Sequence, residues 1–231
     1  MRSKEISYIT NQLNNILNTK FLQLKETISE VSKNTKSGNI TINSNKKVFN
    51  FDKIADMVYN GNSKPKSVDM IHIQNNIIYL IEFKDVLIFR EDKEDKEDKE
   101  DKEDKEDKED KEDKEDKEDK EDKEDKEDKE DKEDKEDIKS NIKLKSIESL
   151  IILHKLLENL NINFSKIIDL NIYYYIVCKE NINLEQNALN RSRVYNNAML
   201  ANIPHYKNTY FKDIKISSFK SFEKDFILKY F

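Results

Sequence analysis
From Glu91 to Asp137 the chain repeats Glu-Asp-Lys without a break for 47 residues. None of those side chains can enter an apolar core. Whatever the protein packs must therefore come from the other 184 of its 231 residues. The repeat holds 16 Glu, 16 Asp and 15 Lys, a net charge of −17, while the whole chain has a formal net charge of −6. The remainder thus carries 27 Lys and Arg against 16 Asp and Glu, a net of +11. A basic body interrupted by an acidic insert suits a polyanionic partner, nucleic acid first of all. A period of three does not match the helical 3.6, so like charges meet at i,i+3. At i,i+4, Asp–Lys and Lys–Glu attract and Glu–Asp repels. The run is read as solvated, either disordered or a lone charged helix about 70 Å long. The plain reading is a repeat expansion tolerated in a surface loop. The functional reading is an acidic mimic that folds back on the body and competes with nucleic acid.

Residues 1–90 and 138–231 together are the size of one ordinary domain. A single cysteine, Cys178, excludes a disulfide framework and a cysteine zinc cluster, and suits a reducing compartment. The apolar runs around Ile77–Phe83 and Leu150–Leu157 are too short or too charged to span a membrane. The start, MRSKEISYITNQLNN, has no apolar signal region. The expectation is a soluble, intracellular, cytoplasmic protein with no membrane partner.

Apolar positions from Ile6 to Ile28 recur at helical steps and predict a helix from Ser3, its N-cap, to about Val31. Ser32–Lys47 reads as a loop with a short extended piece near Ile40–Ile42, and Val48–Tyr59 as holding a first strand. Next come two β-rich runs around Asn75-Asn76, residues that tolerate the positive φ of a tight hairpin turn. With those two as the turn, Ile73 faces Ile78, Ile71 faces Leu80, and Asp69 faces Glu82. Lys84 lies on the same face. Both faces are substantially apolar, so cover is expected on both. The second strand is expected to run to about Phe89. After the repeat, Ile138 to about Leu160 reads as a helix, Ile167–Cys178 as a strand, Leu184–Leu200 as a helix, Thr209–Ser217 as a last strand and Phe219–Phe231 as a short helix. The sum is an α/β fold, a mixed sheet flanked by helices.

Two carboxylates facing each other across a hairpin repel, and a hard divalent cation such as Mg2+ resolves the repulsion while keeping several waters. A lysine beside them can orient or deprotonate one of those waters. That is equipment for metal-assisted phosphodiester hydrolysis.

Asp69, followed on the partner strand by Glu82-Phe83-Lys84, resembles the PD-(D/E)XK nuclease superfamily, and the element order resembles its restriction-endonuclease-like αβββαβ core. The resemblance implies Asp69 and Glu82 as metal ligands, with the backbone carbonyl of Phe83 helping, and Lys84 as the water-activating residue. It implies Mg2+ as cofactor, with Mn2+ able to substitute, and DNA rather than RNA as the partner, in a chain that could act as a homodimer. The first helix of the family often adds an acidic residue, which Glu26 or Glu30 could supply. A polar residue of the helix after the motif often faces the site, as Lys145 or Ser149 could. The family's usual proline just before the aspartate is Val68 here, with Pro65 four residues before Asp69.

Arg191, Arg193 and Lys207 are candidate phosphate contacts, against the default of basic residues on a solvated surface. His72 projects to the face opposite the carboxylates and His154 lies on an apolar helix, so both read as structural. His205 carries no motif. Tyr173, Tyr174 and Tyr175 must point to both sheet faces and read as core before base-stacking. Two other functions compete: a catalytically inactive nuclease-like module for nucleic-acid binding or assembly, and a scaffold in which the acidic repeat is the working part.

Overall fold
A computed structural model describes residues 3–34, 38–59, 64–84, 140–178 and 206–231. The repeat, the expected helix Leu184–Leu200 and His205 lie outside them, as do Arg191 and Arg193.

The first helix, α1, runs Ser3–Lys20 and buries Ile9, Leu13 and Leu17, three turns of one stripe. It does not continue to Val31. A 3-10 turn at Leu22–Leu24 leads into a short strand, β1 (Lys25–Thr27), and then a single-turn helix, α2 (Ile28–Val31). Local chemistry explains the break. Thr27 and Glu30 form a capping box, each side chain bonded to the other's backbone N–H, which starts a new helix at Ile28. The apolar periodicity runs through because its members serve two cores. Ile9, Leu13, Leu17 and Phe21 pack on one side of the sheet, and Ile28 and Val31 on the other.

The strand expected within Val48–Tyr59 is β2 (Lys47–Asn50), and Asn50 then caps helix α3 (Phe51–Val58) by accepting from the Lys53 N–H. The hairpin follows as β3 (Met70–Gln74) and β4 (Ile77–Lys84). Its turn residues Asn75 and Asn76 have φ of 51° and 60°, the left-handed pair that a two-residue type I′ turn requires. The register is the expected one, with Ile71 opposite Leu80 and Ile73 opposite Ile78. The described part of the strand ends at Lys84.

Residues 140–156 form helix α4, closed by a 3-10 turn at Glu158–Leu160. Phe164–Ile168 is a short helix, α5, so the strand expected from Ile167 starts later, as β5 (Ile172–Cys178). The last strand, β6, is Asp213–Ser218. It starts after the expected Thr209 because Tyr206–Phe211 turns back on itself, with Asn208 at φ 66° and a bridge from Lys207 to Phe211. Phe219–Phe222, a π-turn at Glu223–Ile227 and Leu228–Tyr230 then form one terminal helix.

The six strands lie in sequence order. β1 to β4 pair antiparallel, and β4–β5 and β5–β6 pair parallel. The result is an open mixed sheet with helices on both faces. One core joins α1, α3 and α4 to Ile71, Leu80, Ile172, Tyr174 and Ile176. The other joins α2 and the terminal helix to Met70, Tyr79, Ile81, Phe83 and Val177. Tyr174 thus enters one core while Tyr173 and Tyr175 pack beside the other, as the strand alternation requires. No helix among the described residues is long and apolar enough to cross a membrane.

His72 sits in the second layer. Its ring lies 4.7 Å from that of Phe231 and 5.7 Å from that of Phe226, and its Nε2 is buried without a hydrogen-bond partner. Burial, helped by Lys25, lowers its pKa to about 4. His154 is instead bonded through Nε2 to the carbonyl of Ile162 at 2.9 Å.

Two outcomes are expected. Asn75→Val, which forces a β-branched residue into the left-handed region, costs about 1–3 kcal/mol in urea unfolding, whereas Asn75→Gly is close to neutral. A neutral His72 stabilises the fold fully above its unfolded pKa of about 6.5. That contribution is lost as pH falls from there toward about 4. His72→Phe should therefore lose less stability than wild type between pH 7 and pH 4.5.

Candidate active site
Asp69 stands just before β3, where the ladder with β4 ends at the pair Met70–Ile81. Its backbone is held from two sides. The Phe51 N–H at the start of α3 donates to the Asp69 carbonyl at 3.0 Å. The neighbouring Val68 N–H donates to Ser149 Oγ of α4, also at 3.0 Å. The Asp69 side chain then takes the place of the missing ladder bond, with Oδ2 accepting from the Phe83 N–H at 2.6 Å. Phe83 thus meets Asp69 through its N–H.

Glu82 lies in β4, between β3 and the parallel strand β5, where it pairs with Ile176. It is fully buried. A buried carboxylate is costly unless paired, and two lysines pair it. Lys84, two residues along the same face, reaches Glu82 Oε1 at 2.7 Å. Lys145 of α4 reaches Glu82 Oε1 and Oε2 at 2.9 and 3.0 Å and Asp69 Oδ1 at 3.2 Å. Asp69, Lys84 and Lys145 keep 17%, 21% and 20% of their side-chain surface exposed. The cluster therefore opens to solvent on their side, with Glu82 at its floor.

Burial, and then the nearby Glu82 carboxylate, push the Asp69 carboxyl above the usual carboxylate range. Lys145 and the Phe83 N–H pull it back. For Lys145, burial works against the charge, but Glu82 and Asp69 outweigh it and hold the ammonium above its ordinary pKa. Beneath the site, the Tyr174 hydroxyl donates to the Ile142 carbonyl at 3.2 Å and ties α4 to β5. Burial, with the two carboxylates nearby, raises the pKa of that phenol and keeps it neutral.

The structure brings together Asp69, Glu82, Lys84 and Lys145, with the Phe83 backbone. It separates other candidates from them. Glu26 lies on β1, not on a helix. It pairs in register with Val48 of the second core, and its carboxylate accepts from Asn50 Nδ2 at 2.7 Å and is paired with Lys53. Glu30 is committed to the Thr27 capping box. Ser149 acts on the backbone before Asp69 and does not meet the carboxylates themselves. Lys207 pairs with Asp213 at 2.7 Å.

One acidic residue escaped the sequence reading. Asp52, in the first turn of α3, accepts from Ser67 Oγ, and its charge acts on both Asp69 and Lys145. The available signal was Asn50 as an N-cap, which makes Asp52 a first-turn carboxylate. With Val48–Tyr59 read as holding a first strand, that signal was hidden.

Among the described residues no three His, Cys, Asp or Glu side chains group as a metal cage. Two carboxylates, one in β4 and one just before β3, still fit Mg2+, which takes one or two carboxylates and keeps its waters. Burial first and then the Glu82 charge disfavour an ionised Asp69, and a cation offsets both.

Ser149→Ala should leave the buried Val68 N–H without its acceptor and cost about 1–3 kcal/mol in chemical unfolding. No protein-family model, curated protein or solved structure matches this chain.

Proposed function
We propose that the protein is a Mg2+-dependent nuclease that hydrolyses DNA phosphodiester bonds. The observation that carries this reading is the convergence of Asp69, Glu82 and Lys84 at one solvent-reaching point, with Glu82 in β4 and Asp69 at the residue just before β3. The element order supports the restriction-endonuclease-like form of the fold: a helix, antiparallel strands that end in the Glu82 strand, helix α4, then a strand parallel to it. The net +11 outside the repeat supports a polyanionic substrate.

In this reading Asp69 and Glu82, with the Phe83 carbonyl, would hold the metal. Mg2+, or Mn2+ in its place, supplies Lewis acidity and a more acidic bound water. The chain's own groups do the rest. The Phe83 N–H and the bonds to Val68 and from Phe51 fix the Asp69 carboxylate against the strand end. Lys84, held by Glu82 Oε1, would orient the attacking water through its ammonium.

A second reading is a nuclease-like module that binds nucleic acid without cutting it. It is favoured by the Lys145 ammonium, which already satisfies both carboxylates.

Cleavage of plasmid and single-stranded DNA separates the two. Metal-dependent cutting is expected, falling by about 10²-fold or more in Glu82→Gln and in Lys84→Ala, each checked for folding. A folded wild type that binds DNA in a salt-sensitive way but does not cut it gives the second reading. Equal cutting by wild type and both variants places the activity elsewhere.

A further inference from the structure
The proposed chemistry needs one lysine beside the carboxylates, and the site has two. Lys84 pairs with Glu82 Oε1. Lys145 does more, since its single ammonium lies within 3.2 Å of Asp69 Oδ1 and within 3.0 Å of both Glu82 oxygens. That bridging place is the one where a cation relieves the repulsion between the two carboxylates. The ammonium is delivered by a fixed element. Helix α4 is packed through Ile142, Leu150 and Leu153 and tied down by Ser149 and by the Tyr174 hydroxyl.

We infer that Lys145 is a tethered counter-ion occupying the place of the divalent cation between Asp69 and Glu82, so that metal binds there only by displacing it. This rests on the metal-dependent reading of the site. The two cations exclude one another. Mg2+ sits 2.0–2.1 Å from its oxygen ligands, and an ammonium already bonded to the same oxygens would face it at close range. Displacement is open to Lys145 because its side chain is 20% exposed and its four-carbon stem is flexible. The metal-free protein then holds its buried Glu82 without strain, at the cost of weaker metal binding than the bare carboxylate pair would give.

The test is Mn2+ binding, followed by electron paramagnetic resonance of the free ion, with thermal unfolding in EDTA and in Mn2+. Lys145→Met keeps the length and removes the charge. It should bind Mn2+ about tenfold more tightly or better. Its Tm should fall below wild type in EDTA and recover in Mn2+. Lys145→Arg, which keeps the charge, should stay near wild-type affinity. If Lys145→Met is unfolded in EDTA but folds on adding Mn2+, the inference stands; if it stays unfolded in Mn2+, the inference is overturned. Equal or weaker binding by Lys145→Met, with binding still lost in Glu82→Gln, overturns the counter-ion role and leaves the nuclease reading intact. No Mn2+ binding by any of these proteins at millimolar concentration overturns both.

Discussion
A carboxylate with no exposed surface lies in the middle of the sheet. Leaving Glu82 charged and alone there would cost several kcal/mol, more than most single contacts return. Its neutralisation organises the surrounding structure. Lys84 must share its face of β4, and Lys145 must arrive from a helix docked across that face. Asp69 must be anchored by the Phe83 N–H so that it can share the ammonium. The helix, the hairpin and the parallel strand are thus joined by charge as well as by their apolar contacts.

The cluster lies where the sheet changes character. Strands up to β4 pair antiparallel, the last two through the Asn75-Asn76 turn, and β4 meets β5 in parallel. Glu82 stands at that change, between a hairpin partner on one side and a crossover partner on the other. Both faces of the strand are covered there, so the strand reads as a near-continuous apolar run broken by one acid.

That pattern is why the hairpin was legible in the sequence. Asn75-Asn76 fixes the turn and with it the register, which puts Glu82 and Lys84 on the face of Ile71 and Leu80; Asp69, one residue beyond the ladder, is held there by the Phe83 N–H. What could not be read depended on other levels. The end of α1 was hidden because the apolar spacing continues past Lys20 while its members change sides of the sheet. Strand β1 has three residues, with no interior alternation to detect. Glu26 looked helical and is not, whereas Asp52 carries its charge to the site from a helix the sequence did not disclose. Lys145 and Ser149 were correctly placed one turn apart, but only packing decides that one meets the carboxylates and the other the backbone.

Parallel pairing of β4 with β5 brings Lys84 opposite Cys178. The described parts of the two strands therefore end side by side, and residues 85–139 and 179–205 lie outside the described residues. In sequence, the −17 repeat stands between Lys84 and the helix bearing Lys145, the two lysines that pair Glu82. The fold thus separates two kinds of sequence change. Substitutions in the strands and packed helices alter whether the charged cluster is assembled. Changes in length or charge within Glu91–Asp137 replace none of the residues that form the two cores or the cluster.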